Sequence, residues 1–312
     1  MRPSKLFFFL LLSAALAFGW GDEGHKIINR AAVNATPPDM PAFFKAGVEQ
    51  IVYNGPEPDR WRSPSEFTLK EAQEPDHFID LERVEDLGEL PEGRFEYIQL
   101  LYAKRARATE NPDDFLPQHV GFQPYAAIEV YGRLKVAFRE YRQLQAAGQP
   151  TAPAEQNVIF YAGWLGHYVG DASNPMHTTI QYNGWIGPNP HGYTTAAVHS
   201  AIETEFVNRN LPYMSQIGPL ISKPKPLEEP FRDYVAYLEA SHKLVEPMYQ
   251  IEKKGGFKDA GTDEGRVFIR GRLAAGAQML ANLYYTAWIE SEKPLPDRPA
   301  PTAVAPAPAP KP

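Results

Sequence analysis

Apolar residues recur at helical spacing through most of this chain, and alternating strand patterns are rare. Residues 122–147 set Val130, Leu134, Ala137, Phe138 and Tyr141 on one stripe. Residues 227–246 do the same with Phe231, Val235, Leu238 and Val245, and 264–290 with Val267, Ile269, Leu273, Ala277, Leu280 and Leu283. Such stripes bury against one another as core, so the pattern predicts an all-α protein with a single mainly helical domain. Two stretches break the periodicity. One spans 55–93 and is rich in Pro, Glu and Asp; the other is Thr178–Tyr193, where Asn183-Gly184 and Gly187-Pro188-Asn189-Pro190 signal turns. Loops of this length inside a compact domain tend to carry function.

The two ends read differently from the middle. Leu6 to Phe18 carries no charge, follows Arg2 and Lys5, and closes on the small-x-small triplet Ala17-Phe18-Gly19. A charged head, apolar core and cleavage triplet make a secretory signal over 1–19; the apolar stretch is short of the roughly 20 residues of a membrane-spanning helix. The expectation is a secreted or periplasmic protein cut between Gly19 and Trp20. Trp20 would then start the mature chain with a free α-amino group beside its own carbonyl, a pair that can chelate a metal. The folded domain is expected over 20–290. From 291 to 312 the chain is Pro/Ala-rich, which predicts an extended, unpacked tail.

The chain has no cysteine, so no disulfide holds it; an exported protein of this kind relies on its core, on metals, or on both. It carries 31 basic and 38 acidic residues, a net charge of −7, and losing Arg2 and Lys5 makes it two units more negative. A basic nucleic-acid groove is therefore not expected, although bound metal ions make a local positive site on an acidic protein.

The densest chemistry lies in 161–177. His167 and Asp171 are four apart, on one face of a helix, and Pro175 should end that helix near Asp171, so that His177 reaches back from the following turn. A second histidine–carboxylate pair at the same spacing is His199 and Glu203. Two such pairs on neighbouring helices can project metal ligands into a shared core, and imidazole with carboxylate is an ordinary zinc-binding combination. Asp76-His77-Phe78-Ile79-Asp80 and Pro58-Asp59-Arg60 supply further candidates, with Glu57 competing with Asp59. With His25, five residues after Trp20, these elements account for five of the eight histidines. His119 and His242 read as solvent or packing residues, and His191 as a candidate substrate contact. No phosphate-binding loop or serine triad is evident.

Trp-x-x-x-x-His, a lone Asp, His-Phe-x-Asp, His-x-x-x-Asp-x-x-x-x-x-His and His-x-x-x-carboxylate occur in that order over about 20–290. This ordered set resembles the trinuclear-zinc phosphoesterases, the superfamily uniting bacterial zinc-dependent phospholipase C with fungal and plant single-strand-specific nucleases. The resemblance implies a helical fold with long loops around a cluster of three Zn2+ ions per chain. It implies that Trp20, through its amino nitrogen and carbonyl oxygen, and His25 bind one zinc. Asp59, His77 and His167 would bind a second, with Asp171 bridging the two together with a hydroxide. His177, His199 and Glu203 would bind the third. Asp171 and Asp59 carry the catalytic roles, since zinc lowers the pKa of bound water to about 7 and neutralises phosphate oxygens. The chelating atoms of Trp20 are backbone, so its indole is expected to matter little.

Within that superfamily the substrate features divide. The four residues between Trp20 and His25, and the gap from His177 to His199, are nuclease-like. Phe78 and Asp80 stand where those nucleases stack a base, an interaction worth about 1–3 kcal/mol, and bond its edge. Phe78 as plain shielding core, and Asp80 as a group orienting a ligand histidine, are the structural alternatives. Glu203, the sequence His177-Thr-Thr-Ile and Ile202 before Glu203 are phospholipase-like or depart from the nuclease pattern. Ile180, Tyr182, Trp185 and Ile186 would suit a lipid, a base or packing of their own loop. The expected activity is a single-strand-specific nuclease/3′-nucleotidase acting on single-stranded nucleic acid or nucleotides. The alternative is a phospholipase C acting on phosphatidylcholine-like lipids, and a third reading is a non-catalytic zinc-binding surface protein. No stable protein partner is expected.

Overall fold

The computed structural model describes residues 20–294. The expected leader over 1–19, and the expected tail beyond residue 294, lie outside the described residues. The packed domain runs one residue past the expected boundary: Ser291 is buried, and Arg142 donates Nε–H to its Oγ at 2.9 Å.

Helices make up the framework, and among the described residues there is no strand, only an isolated bridge between Tyr182 and Gly184. The Gln123–Ala146 and Ala152–Ser173 helices pack along each other, the Asp263–Glu290 helix packs on both, and Gly21–Ala35 lies against Asp263–Glu290 and Ala152–Ser173. Val130, Leu134, Ala137 and Phe138 of the first expected stripe are buried, as are Ile269, Leu273, Ala277, Leu280 and Leu283 of the third. Val267 is 56% exposed and belongs to the outer face. The stripe expected over 227–246 is split between two helices, Pro230–His242 and Val245–Lys253.

Local chemistry sets the helix ends. Thr262 caps Asp263–Glu290 by accepting a hydrogen bond from the Gly265 amide at 3.2 Å, and Asp263 and Glu264 place negative charge in its first turn. Ala152–Ser173 has a proline in its first turn and stops two residues before Pro175, as expected. Its face toward the first helix is glycine. A Cβ at Gly166 would lie 2.1 Å from Asn29 Oδ1, and one at Gly170 would lie 2.9 Å from His25 Nδ1. These two positions let the helices approach closely, and that approach carries His25 to Asp171.

The segment 55–93 is less irregular than its composition suggests. It holds the short α-helices Glu57–Trp61 and Phe67–Gln73 and the 3-10 turns Glu74–His77, Leu81–Arg83 and Glu85–Leu87. Helices this short contain too few apolar positions to show a period, so they read as loop. Thr178–Tyr193 stays irregular, as its turn signals predict.

Candidate metal centre

Eight side chains from five parts of the chain converge in the interior: His25, Asp59, His77, His167, Asp171, His177, His199 and Glu203, all buried. They form three groups that could each hold a metal ion: His25–His167–Asp171, Asp59–His77–His167 and His177–His199–Glu203. Within each, the ligand atoms lie within 4.8 Å of one another. Every imidazole and carboxylate ligand expected from the sequence is therefore in the cluster. Glu57 is not: it pairs with Arg60 at 2.5 Å, away from the cluster, while Asp59 turns inward.

Asp171 stands between the first two groups. Its Oδ1 lies 3.4 Å from His25 Nε2; its Oδ2 lies 3.1 Å from His77 Nδ1 and 3.3 Å from His167 Nε2. Each oxygen thus faces a different group, the geometry of a bridging carboxylate. Burial opposes ionisation of Asp171, but His177 and His167 hold its carboxyl well below the usual range. Burial, then the neighbouring His167, holds His25 well below the usual histidine range, so it presents a neutral ring. That ring stacks on His167 with centroids 3.9 Å apart.

Backbone carbonyls decide which ring nitrogens face inward. His167 donates Nδ1–H to Gly55 O at 2.9 Å, His177 to His77 O at 2.9 Å, and His199 to Tyr182 O at 3.0 Å. A carbonyl only accepts, so each Nδ1 carries a proton, and in the neutral ring each Nε2 is left with the lone pair. The consequence is sharpest in the third group. His177 Nε2 and His199 Nε2 face each other at 3.2 Å, with Glu203 Oε2 at 3.5 and 2.8 Å from them. With both rings neutral three acceptors converge there. Burial opposes a charge on His177, but Asp171 and Glu203 push it up to about 9, so this pocket draws in a positive charge, whether a proton or a metal cation. Among the described residues, six buried polar atoms of the cluster have no hydrogen-bond partner: His25 Nδ1 and Nε2, Asp59 Oδ2, His77 Nε2, Asp171 Oδ1 and Glu203 Oε1. At about 1–3 kcal/mol each, or roughly 6–18 together, they would cost as much as a whole domain's stability of about 5–15 kcal/mol. The donor set, all nitrogen and oxygen, fits divalent metal ions.

Trp20 is seated next to this cluster. Its indole is buried and donates Nε1–H to Gly170 O and Ser173 Oγ, both at 2.8 Å. Contrary to expectation, the ring matters: it pins residue 20 to the helix turn that carries Asp171. Gly21 (φ +59°) then turns the chain at a point where a Cβ would meet Thr204 Oγ1 at 2.8 Å. Thr204 follows Glu203, so the N-terminal turn packs between the two histidine–carboxylate pairs.

A cavity of about 540 Å³ opens over the cluster, lined in part by His77, His177 and His199. Phe78 and Asp80 are half-buried in its wall. Among the described residues Asp80 bonds no ligand histidine, so it is not an orienting group. Burial, with Glu82 adding, pushes its carboxyl up to about 7. Of the 178–193 loop only Thr179 and Tyr182 reach the cavity. Trp185 instead packs on Tyr193 and Tyr249, and His191 sits outside, 3.4 Å from Glu246.

Several residues of the site were not singled out from the sequence. Arg62, three after Asp59, is buried, lines the cavity and holds Asp59 Oδ1 at 2.5 Å. Asn174 donates Nδ2–H to Glu203 Oε2 at 3.1 Å while its Oδ1 caps the Pro175–Thr178 turn. His119, expected to face solvent, is exposed but on the cavity wall, beside Gln118. Arg62 had a signal in its i, i+3 spacing from a carboxylate, and Asn174 in the Asn-Pro turn dipeptide; His119 had none. Glu203 lies in a π-helical turn, Ala201–Glu205, a distortion common at functional sites. No protein-family model and no curated protein matches this chain.

Proposed function

We propose that this chain is a zinc-dependent phosphodiesterase, a secreted or periplasmic relative of the trinuclear-zinc phosphoesterases. The observation that carries the reading is the union of three buried His/carboxylate groups with an open cavity above them. A purely structural zinc site needs four closed ligands and no open position, which speaks against a non-catalytic scaffold. Histidine nitrogen with carboxylate oxygen, without thiolate, suits zinc. When bound, such ions supply an attacking hydroxide near neutral pH and neutralise the charge of a phosphodiester.

The protein's own groups divide the remaining work. Asp171 holds the first two positions at a fixed separation, and Asp59 completes the second. Arg62 sets a permanent positive charge at the cavity wall, where a phosphate oxygen would lie. The Nδ1–H bonds to Gly55, His77 and Tyr182 carbonyls keep three imidazoles in the coordinating tautomer. After cleavage behind Gly19, the Trp20 amino nitrogen and carbonyl oxygen join His25 as ligands, with the indole fixing their position.

Single-stranded nucleic acid or nucleotides are the substrate we favour. The cavity wall sets the ring of Phe78 beside the polar edge of Asp80, Gln118 and His119, with Tyr182 as a second ring in the lining, which suits a stacked base better than an acyl chain. The lipid reading draws on Tyr182 and Ile186, 51% and 52% exposed on the 178–193 loop. The test is metal analysis of the mature protein, then a parallel assay of single-stranded DNA, RNA, 3′-nucleotides and phosphatidylcholine with zinc. About three ions per chain and preference for nucleotides are expected. One ion or none would sink the trinuclear reading, and hydrolysis of phosphatidylcholine alone would move the protein to the lipid branch.

A further inference from the structure

The two ligand-bearing segments 77–82 and 177–180 lie side by side, and their bonds form a ladder. The Ile79 amide donates to His177 O at 3.0 Å, and His177 donates Nδ1–H to His77 O at 2.9 Å. The next rung is a side chain. Glu82 spans the end of the 177–180 segment: Thr179 donates its hydroxyl to Glu82 Oε1, and the Ile180 amide donates to Glu82 Oε2 at 3.2 Å. From the other side His242 donates Nδ1–H to Thr178 O at 2.8 Å, with its Nε2 4.0 Å from Glu82 Oε1. Both carboxylate oxygens of Glu82 are thus spent on one dipeptide, two residues beyond a proposed metal ligand. Thr179 lines the cavity, so the same carboxylate also sets the wall against which substrate would rest.

We propose that Glu82 is a positioning residue for the His177–His199–Glu203 group and for the cavity wall at Thr179. It touches no ligand atom. It fixes the backbone of 179–180, and with it the reach of His177 toward His199 Nε2. This rests on the reading of the centre as a trinuclear site. Groups bonded directly to a metal ligand are worth about 10–100-fold in metal affinity or activity; Glu82 acts one step further out, through 179–180, so the lower end, about 10-fold, is expected, and for one ion only. Glutamine keeps the pattern after an amide flip, its oxygen accepting from Ile180 and its NH2 donating to Thr179 Oγ1. Alanine cannot.

The experiment compares wild type, Glu82→Ala and Glu82→Gln by metal analysis after graded dialysis against a weak chelator, with thermal unfolding and kcat and KM on a model phosphodiester. Glu82→Ala should lose one ion at about 10-fold lower chelator, retain the other two as wild type does, and raise KM more than it lowers kcat; Glu82→Gln should restore all three readings. Wild type holding three ions with Glu82→Ala indistinguishable from it overturns the proposal and leaves the function standing. Loss of all ions together with a lowered Tm also overturns it, since that marks a general folding defect. Wild type holding fewer than three ions breaks the functional reading instead.

Discussion

The two ends of the candidate metal centre are built in opposite ways. At one end His167 and Asp171 project from a single rigid helix, close to His25 because glycines at 166 and 170 admit the neighbouring helix. Two ligand groups share His167, and Asp171 faces both. At the other end His177 comes from a 3-10 turn, and His199 and Glu203 from a short helical stretch that passes into a π-helical turn just after the irregular loop. They serve one group and are tied in place by hydrogen bonds from outside it. A shared, helix-borne site fails as a whole; a loop-borne site fails alone.

Asp171→Ala tests the first half and should have the largest effect: two of the three ions lost and phosphodiesterase activity down by on the order of 10³-fold. Metal analysis retaining two ions would break the contrast. His199→Ala should remove a single ion and leave the other two in place, with a smaller rate loss, and pairing the two variants reads the difference directly.

The N-terminal turn sharpens the comparison. One extra residue before Trp20 should cost the ion at His25 while leaving Tm of the metal-free protein unchanged. Trp20→Phe should do the reverse, keeping the backbone atoms proposed as ligands but losing a buried indole donor, about 1–3 kcal/mol by denaturant unfolding. Equal metal loss in both would show that ring and amine act as one.

The smallest effect concerns Asp80. Its folded pKa, pushed up to about 7 by burial and then by Glu82, with Arg83 opposing, exceeds an unfolded value of about 3.9. The stability its protonated form contributes is therefore complete below about pH 4 and lost as pH rises through about 7. Asp80→Asn should gain Tm relative to wild type between pH 5 and 8, by roughly 2–4 °C for each kcal/mol recovered. A difference that stays flat across that range would remove Asp80 from the titration.

What was legible in the sequence follows the same division. The long helices announce themselves through stripes such as Val130–Leu134–Phe138, and the paired ligands through i, i+4 spacing on them. Asp59 stood beside an equal competitor in Glu57, because nothing in a five-residue helix says which carboxylate turns inward. The cavity wall was harder still. Arg62 sits three residues from its partner Asp59, but that spacing does not say that it faces a cavity; Asn174 acts through the distant Glu203, and His119 reaches the cavity only because its short helix, Pro117–Val120, packs against the Glu74–His77 turn. Val267 shows the converse error, a residue in phase with a stripe yet on the solvent side, since a 28-residue helix has more than one neighbour to satisfy.

The acceptors that orient His167, His177 and His199 are the main-chain oxygens of Gly55, His77 and Tyr182. No substitution at those three positions deletes a carbonyl. The tautomers on which coordination depends are therefore insulated from point mutation, and sequence drift around the centre can proceed without disturbing them so long as the backbone path is kept. Comparing related chains at position 182 would then find no fixed residue type, although its oxygen orients a candidate ligand; position 55 should stay glycine for a separate reason, since a Cβ there would lie 2.6 Å from Asn29 Nδ2.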